Sequence, residues 1–166
     1  MRPERVREFV EFVSGRLPRL QRTAYLLCGD RHLAEDIVQS AVTTLFVQWK
    51  RNTVIENADA YLHRILVRRY LDERRRKWFG VLLGDRLPDT PAVPQPAVEE
   101  RDALMAALRT LPNKQRAAIV LRYYDDLSVE QTAEALHCSP ATVRSQCSRG
   151  LAVLREVLQT EVRVPS

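Results

Sequence analysis

The chain has 166 residues and a formal net charge of +5, with 45% of its residues in the hydrophobic class. That length holds one ordinary domain or two small ones, and the apolar fraction excludes a wholly disordered or collagen-like chain. No stretch approaches the roughly 18 apolar residues that span a bilayer, and the amino terminus lacks a signal-peptide core, so no membrane insertion and a cytoplasmic location are expected.

From residue 2 to residue 77 the pattern is helical. Val6, Phe9, Val10, Val13, Leu17 and Leu20 recur at spacings of three and four, although Ser14-Gly15 and Pro18 predict a break or kink in that helix. Gly29-Asp30 reads as a turn. Leu33, Ile37, Ala41 and Leu45 mark a second helix that runs to about Trp49, and residues 51–57 form a short connection. A third helix covers residues 60–77, with Tyr61, Ile65 and Leu66 inward. Residues 80–97 change character: Pro88, Pro91, Pro94 and Pro96 deny helix hydrogen bonds and predict a semi-rigid linker, or a long loop folded against one domain.

Helical patterning resumes at Val98. Leu104, Ala107 and Leu108 mark one helix, closed at Leu111-Pro112, and Ala117, Val120 and Leu121 mark the next, ending near Tyr124-Asp125. Ser128 and Gln131 have capping-box spacing ahead of Val129, Thr132, Ala133 and Leu136. Ser139-Pro140 starts a last helix whose Val143, Cys147, Leu151 and Leu154 repeat at four, four and three. The prediction is therefore all-α: two small helical domains, the second ending in a helix-turn-helix.

Two features carry chemistry. The recognition-helix candidate exposes Thr142, Arg144, Ser145, Gln146, Ser148 and Arg149. Arg forks onto guanine, Gln bonds adenine, and hydroxyls hold phosphate. Arg116 and Arg122 on the preceding helix offer a grip on neighbouring backbone. The alternative is a four-helix bundle with a soluble face. Residues 60–80 hold seven basic residues against Asp72 and Glu73, interleaved with Leu62, Tyr70 and Trp78. Phosphate and stacked bases suit that surface, and so does plain solvation of a helix end.

Enzyme chemistry finds no foothold. Asp36, three residues before Gln39, joins no metal or nucleophile constellation, and Asp125-Asp126 reads as turn chemistry. Cys28, Cys138 and Cys147 form no CxxC pair, and Cys147 reads as a packed thiol. His32, His63 and His137 show neither zinc spacing nor a carboxylate orienter, so no cofactor or metal is expected.

The order of these features resembles a short bacterial sigma factor of the extracytoplasmic-function type, within the sigma-70 family and close to its actinobacterial SigE-like members. The resemblance rests on AYLLCGDRHLAEDIVQSAVTTLFVQW (residues 24–49), AYLHRILVRRYLDERRRKW (60–78) and LPNKQRAAIVLRYYDDLSVEQTAEALHCSPATVRSQCSRGLAVLR (111–155). It implies an RNA polymerase sigma factor that directs core polymerase to promoters and supports initiation. Residues 1–80 would be sigma region 2, residues 81–97 a Pro-rich joint and residues 98–160 region 4. Glu35, Asp36 and Gln39 would meet core RNA polymerase, at the β′ clamp helices, with the β subunit a further partner. Asn52, Thr53, Asn57, Arg64, Arg68, Tyr70, Arg74 and Arg75 would serve the opened, single-stranded −10 element, while Trp78 and Tyr70 have core sealing as their other reading. Arg116, Thr142, Arg144, Ser145, Gln146 and Arg149 would serve the duplex −35 element.

An anti-sigma protein is a further partner that the resemblance allows. The chain departs from the common family pattern in carrying Arg68 for Asn, His137 for Gly in the tight turn, and Gln146 near a usually basic position. A stand-alone duplex-DNA regulator and a helical adaptor for an acidic protein are the competing readings of the same residues.

Overall fold

The computed structural model describes residues 2–51, 54–84 and 99–162. Three helices form a first module: α1 (Pro3–Cys28), α2 (Arg31–Lys50) and α3 (Ala58–Leu82). Four form a second: α4 (Glu99–Arg109), α5 (Asn113–Ile119), α6 (Val129–Leu136) and α7 (Pro140–Val162). A wide turn over Val120–Tyr124, closed by the Asp125 N–H donating to the Val120 carbonyl at 3.1 Å, extends α5. Among the described residues there is no strand. Of the predicted joint at 81–97, residues 85–97 lie outside the described residues, and residues 81–84 prolong and close α3.

The predicted break in α1 does not occur, because Ser14, Gly15 and Pro18 all lie on its exposed face. The carbonyl that proline leaves free there meets water, while Phe9, Val13, Leu20, Ala24 and Leu27 keep the opposite face buried. Val6 and Val10, predicted on the inward stripe, stand at its exposed edge. Trp49 pins the start of α1 to the end of α2: its indole N–H donates to the Arg5 carbonyl at 3.1 Å, and Phe9 packs against its ring edge.

Gly29 ends α1 with φ 72°, and the Arg109 guanidinium lies where a side chain on it would point. Asp30 then starts α2 by accepting from the His32 and Leu33 N–H groups. In α3 the buried face is Leu62, His63, Leu66, Val67 and Tyr70; Leu66 is inward as predicted, and the predicted Tyr61 and Ile65 pack partly buried at its edge. Leu62 and Tyr70 are core, not apolar and aromatic surface between arginines, because four-residue steps from Leu66 face α1 and α2.

The second module closes around two small apolar nuclei. Ala107, Leu108 and Leu111 meet Ile119 and Leu154, with Met105 buried where Leu104 was predicted. Ala118, Ala133, Val143 and Cys147 join α5, α6 and α7. Gly150 sits in mid-helix because a Cβ there would run into the Ile119 side chain.

The modules are not separate. Ala117, Val120, Leu121, Leu127 and Ala135 belong to the same apolar core as α1, α2 and α3. Among the described residues, Arg116 holds this junction without a carboxylate partner. Its Nε donates to the Leu108 carbonyl at 2.7 Å and its Nη2 to those of Arg109 and Leu111 at 3.1 and 3.0 Å. Its Nη1 crosses to the Leu27 carbonyl of α1 at 2.8 Å. A planar fork thus satisfies the loose carbonyls at the ends of two helices, where the helix dipoles also favour a cation.

Arg116→Ala removes the side-chain donor from those carbonyls, of which that of Leu108 keeps the Leu111 N–H at 3.1 Å, and is expected to cost about 2–4 kcal/mol of folding stability in urea titration. Arg116→Lys should recover less than half of that loss, since one ammonium does not reproduce the fork.

Candidate functional site

The helix-turn-helix is assembled by local chemistry. Ser128 accepts from the Gln131 N–H at 3.0 Å, while the Gln131 side chain accepts from the Ser128 N–H at 2.9 Å. His137 closes α6 in the left-handed region, φ 54°, and the Cys138 N–H returns to the Ala133 carbonyl at 3.0 Å. Ser139 then caps α7, its hydroxyl oxygen accepting from the Thr142 N–H at 3.1 Å.

Val143, Cys147 and Gly150 turn inward, which fixes the remaining faces of α7. Burial raises the Cys147 thiol above its usual range, consistent with a packed side chain. Thr142, Arg144, Ser145, Ser148 and Arg149 are exposed and Gln146 is half-buried. Arg144 and Gln146, two residues apart, stand on opposite flanks of the helix. The Gln146 flank, with Arg149, borders an open cleft shared with Arg68, Arg74, Arg75 and Lys77 of α3. Predicted DNA-facing residues of both modules therefore line one basic surface.

On α2, Glu35, Asp36 and Gln39 are exposed and adjacent, opposite the buried Ala34, Ile37, Val38, Ala41 and Leu45. Among the described residues neither carboxylate forms an ion pair.

The −10 candidates are placed unevenly. Asn52 and Thr53 lie outside the described residues. Asn57 caps α3 by accepting from the Ala60 N–H at 3.1 Å, with φ 49°. Arg64 reaches Glu134 of α6 at 2.7 Å, Arg68 reaches His137 at 3.4 Å, and Arg74 donates to Asn113 at 3.1 Å. Arg75 and Trp78 are exposed.

Two expected DNA contacts are corrected by burial. Tyr70 is fully buried, its hydroxyl donating to Asn113 at 3.2 Å and receiving Arg116 at 3.4 Å. Arg116 is 4% exposed and spends its donors on carbonyls. Burial pulls its guanidinium below the usual arginine range, with Arg74 and Arg109 adding repulsion. Arg122, the other expected backbone grip, is half-buried and donates to the Leu127 carbonyl at 2.5 Å.

A polar cluster that sequence spacing did not identify lies between the modules. The Asp125 side chain is fully buried, receives the Thr23 hydroxyl at 2.9 Å, and stands 3.3 Å from His63 Nε2. Arg19 lies 3.4 Å from the same carboxylate. Asp59, one turn before His63, was the available sequence signal for a carboxylate beside that ring. Asp125, read as turn chemistry, comes from the other module.

Among the described residues, no group of three metal-ligating side chains converges, and no helix is long and apolar enough to cross a membrane.

Residues 12–79 match the family "Sigma-70 region 2" and residues 101–154 match "Sigma-70, region 4". An RNA polymerase sigma-E factor of Streptomyces coelicolor is 36% identical over 156 residues, spanning 92% of this chain and 87% of that protein. An ECF RNA polymerase sigma factor SigE of Mycolicibacterium smegmatis is 35% identical over 158 residues, spanning 89% of this chain and 60% of that protein. The sigma factor RpoE of Bartonella quintana, solved with the anti-sigma factor NepR, superposes with a TM-score of 0.76 at 25% identity. That match covers 92% of this chain and 97% of the other.

With its hydroxyl committed inside the junction, Tyr70→Phe is expected to lower stability by about 1 kcal/mol in thermal unfolding. Its affinity for single-stranded DNA, read by fluorescence anisotropy, should stay at the wild-type value.

Proposed function

The chain belongs to the sigma-70 family as an RNA polymerase sigma factor of the extracytoplasmic-function type, acting in promoter recognition and transcription initiation, and from that premise we propose how its residues divide the work. The first module, residues 1–80, docks on core polymerase and holds the opened −10 strand. The second, residues 98–160, reads duplex DNA at −35, and residues 81–97 join them.

The exposed arc of α7 over its buried Val143–Cys147 seam carries this reading. Thr142 and Ser145 suit phosphate near the helix start, where free N–H groups already favour an anion. Arg144 and Gln146 suit base edges, and Arg149 suits backbone charge. Because Arg144 and Gln146 stand on opposite flanks, they address different base pairs.

Glu35, Asp36 and Gln39 offer an unpaired acidic and amide surface, the complement of a basic or amide-bearing helix on the β′ clamp. The β subunit is the second contact within core polymerase. For the −10 strand, Arg64, Arg68, Arg74 and Arg75 supply charge along α3, beside the connection that carries Asn52, Thr53 and Asn57. Extruding a base costs a few kcal/mol, which those backbone contacts and polymerase together offset.

Phosphodiester synthesis belongs to polymerase. The chain contributes binding and no catalysis, in the cytoplasm where polymerase works. The complex formed by the Bartonella relative supports an anti-sigma protein as a further partner.

Run-off transcription with core polymerase, with and without this chain, tests the whole reading; no promoter-dependent stimulation across a broad promoter set rejects it. Arg144→Ala should lose about 1–3 kcal/mol of preference for the correct base, and equal weakening on matched and mismatched duplexes rejects base reading. Asp36→Ala with Gln39→Ala should weaken capture of core polymerase roughly tenfold or more, the size of a small interface hot spot, while isolated −35 duplex binding stays constant.

A further inference from the structure

We propose that Asp125 and His63 form a proton-dependent latch that holds the two modules closed and keeps the α3 arginines engaged. The latch rests on the functional reading above only for its consequence, the masking of α3; closure itself belongs to the free chain.

The bonding around His63 decides its charge. Its Nδ1 lies 2.8 Å from the Asp59 carbonyl oxygen, which only accepts, so Nδ1 carries the hydrogen. A neutral ring then presents the bare lone pair of Nε2 to Asp125 Oδ1, 3.3 Å away across the module boundary. Two acceptors facing each other in a buried site repel. A protonated ring faces the same carboxylate with an N–H and a full charge. The imidazolium turns that repulsion into an ion-pair attraction at 3.3 Å, with Nε2 still outside hydrogen-bond geometry to the carboxylate.

The surrounding groups support that state without replacing it. From α1, Thr23 donates to Asp125, Arg19 approaches it, and Arg16 pairs with Asp59 at 3.1 Å. From α3 itself, the Asp59 carboxylate lies 3.8 Å from His63 Nδ1. Burial draws the His63 pKa down, but Asp125 and Asp59 outweigh it and the net direction is upward. With the closed-state pKa above that of an open, solvated ring, protonation favours closure. The contribution is complete below the ordinary histidine value and lost as pH rises through the closed-state pKa.

Closure has a specific cost for nucleic-acid contact. The same docking that buries Asp125 brings Glu134 to Arg64 and His137 to Arg68. Opening frees both arginines together.

Single-molecule energy transfer in the full chain, with dyes at exposed Val47 of α2 and Ala152 of α7, counts the open fraction directly. Between about pH 6 and about pH 8.5 that fraction should rise, because the raised closed-state pKa of His63 favours the protonated, closed form at the lower pH. His63→Gln should abolish the rise. Glu134→Ala, an exposed change, should raise the open fraction at both pH values and leave their ratio intact. A pH-independent wild-type open fraction, or an unchanged transition in His63→Gln, overturns the latch.

Should His63→Gln lose helical circular dichroism, titration of the wild-type His63 ring is followed by NMR. His63 titrating without a matching change in open fraction overturns the proposal equally. No polymerase or promoter enters these measurements, so their outcome is independent of the run-off result.

Discussion

Arg116 is the constraint on which the arrangement of both modules depends. A guanidinium buried without a carboxylate is stable only if its donors find oxygen, and here the oxygens are the loose carbonyls of α1, the end of α4 and the turn that follows it. Those carbonyls need donors as much as the arginine needs acceptors. One side chain therefore solves several terminal hydrogen-bond deficits at once, and it does so only if Leu27 of the first module stands beside Leu108 of the second. Tyr70 and Asn113 extend the same network toward Arg74. The junction is consequently specific in direction as well as apolar.

This geometry gives the two DNA-facing surfaces unequal availability. The Arg144 flank of α7 is clear of the junction, while Gln146 and Arg149 border the cleft shared with α3. The basic face of α3 is not free: Arg64, Arg68 and Arg74 all have partners on the second module. On the proposed assignment, the Arg144 flank of the duplex reader is presented while the α3 arginines stay engaged with the second module. Surface pairs such as Arg64–Glu134 are individually weak, on the order of 1 kcal/mol or less, so the apolar junction, not the ion pairs, sets the strength of closure.

What the sequence disclosed follows from the range of each interaction. The capping box at Ser128 and Gln131, the His137 turn and the Ser139-Pro140 start are fixed within a few residues, and each stands where local spacing places it. The buried seam of α7 was equally legible from its three- and four-residue steps. The phase of α3 was not, because a helix carrying seven basic residues leaves Leu62 and Tyr70 ambiguous until neighbours select a face. Arg116 misled for a related reason: an arginine near a recognition helix has the same letters whether it meets phosphate or carbonyl. The His63–Asp125 contact joins two modules across a proline-rich joint, and no periodicity within either one encodes it.

The junction also explains why closure and function need not conflict. Burying Val120 and Leu121 against the first module is worth about 1.5–3 kcal/mol each, offset in part by the lost freedom of two tethered bodies. Protonation of His63 adds one charged contact to that balance and tips it toward closure as pH falls. Full opening requires a partner with more surface to offer. On the proposed division of roles, core polymerase would supply this through two linked contacts, the second gained at high effective concentration once the first has formed. Protonation at the latch then adjusts how often the chain is ready for capture, while polymerase determines whether it stays open.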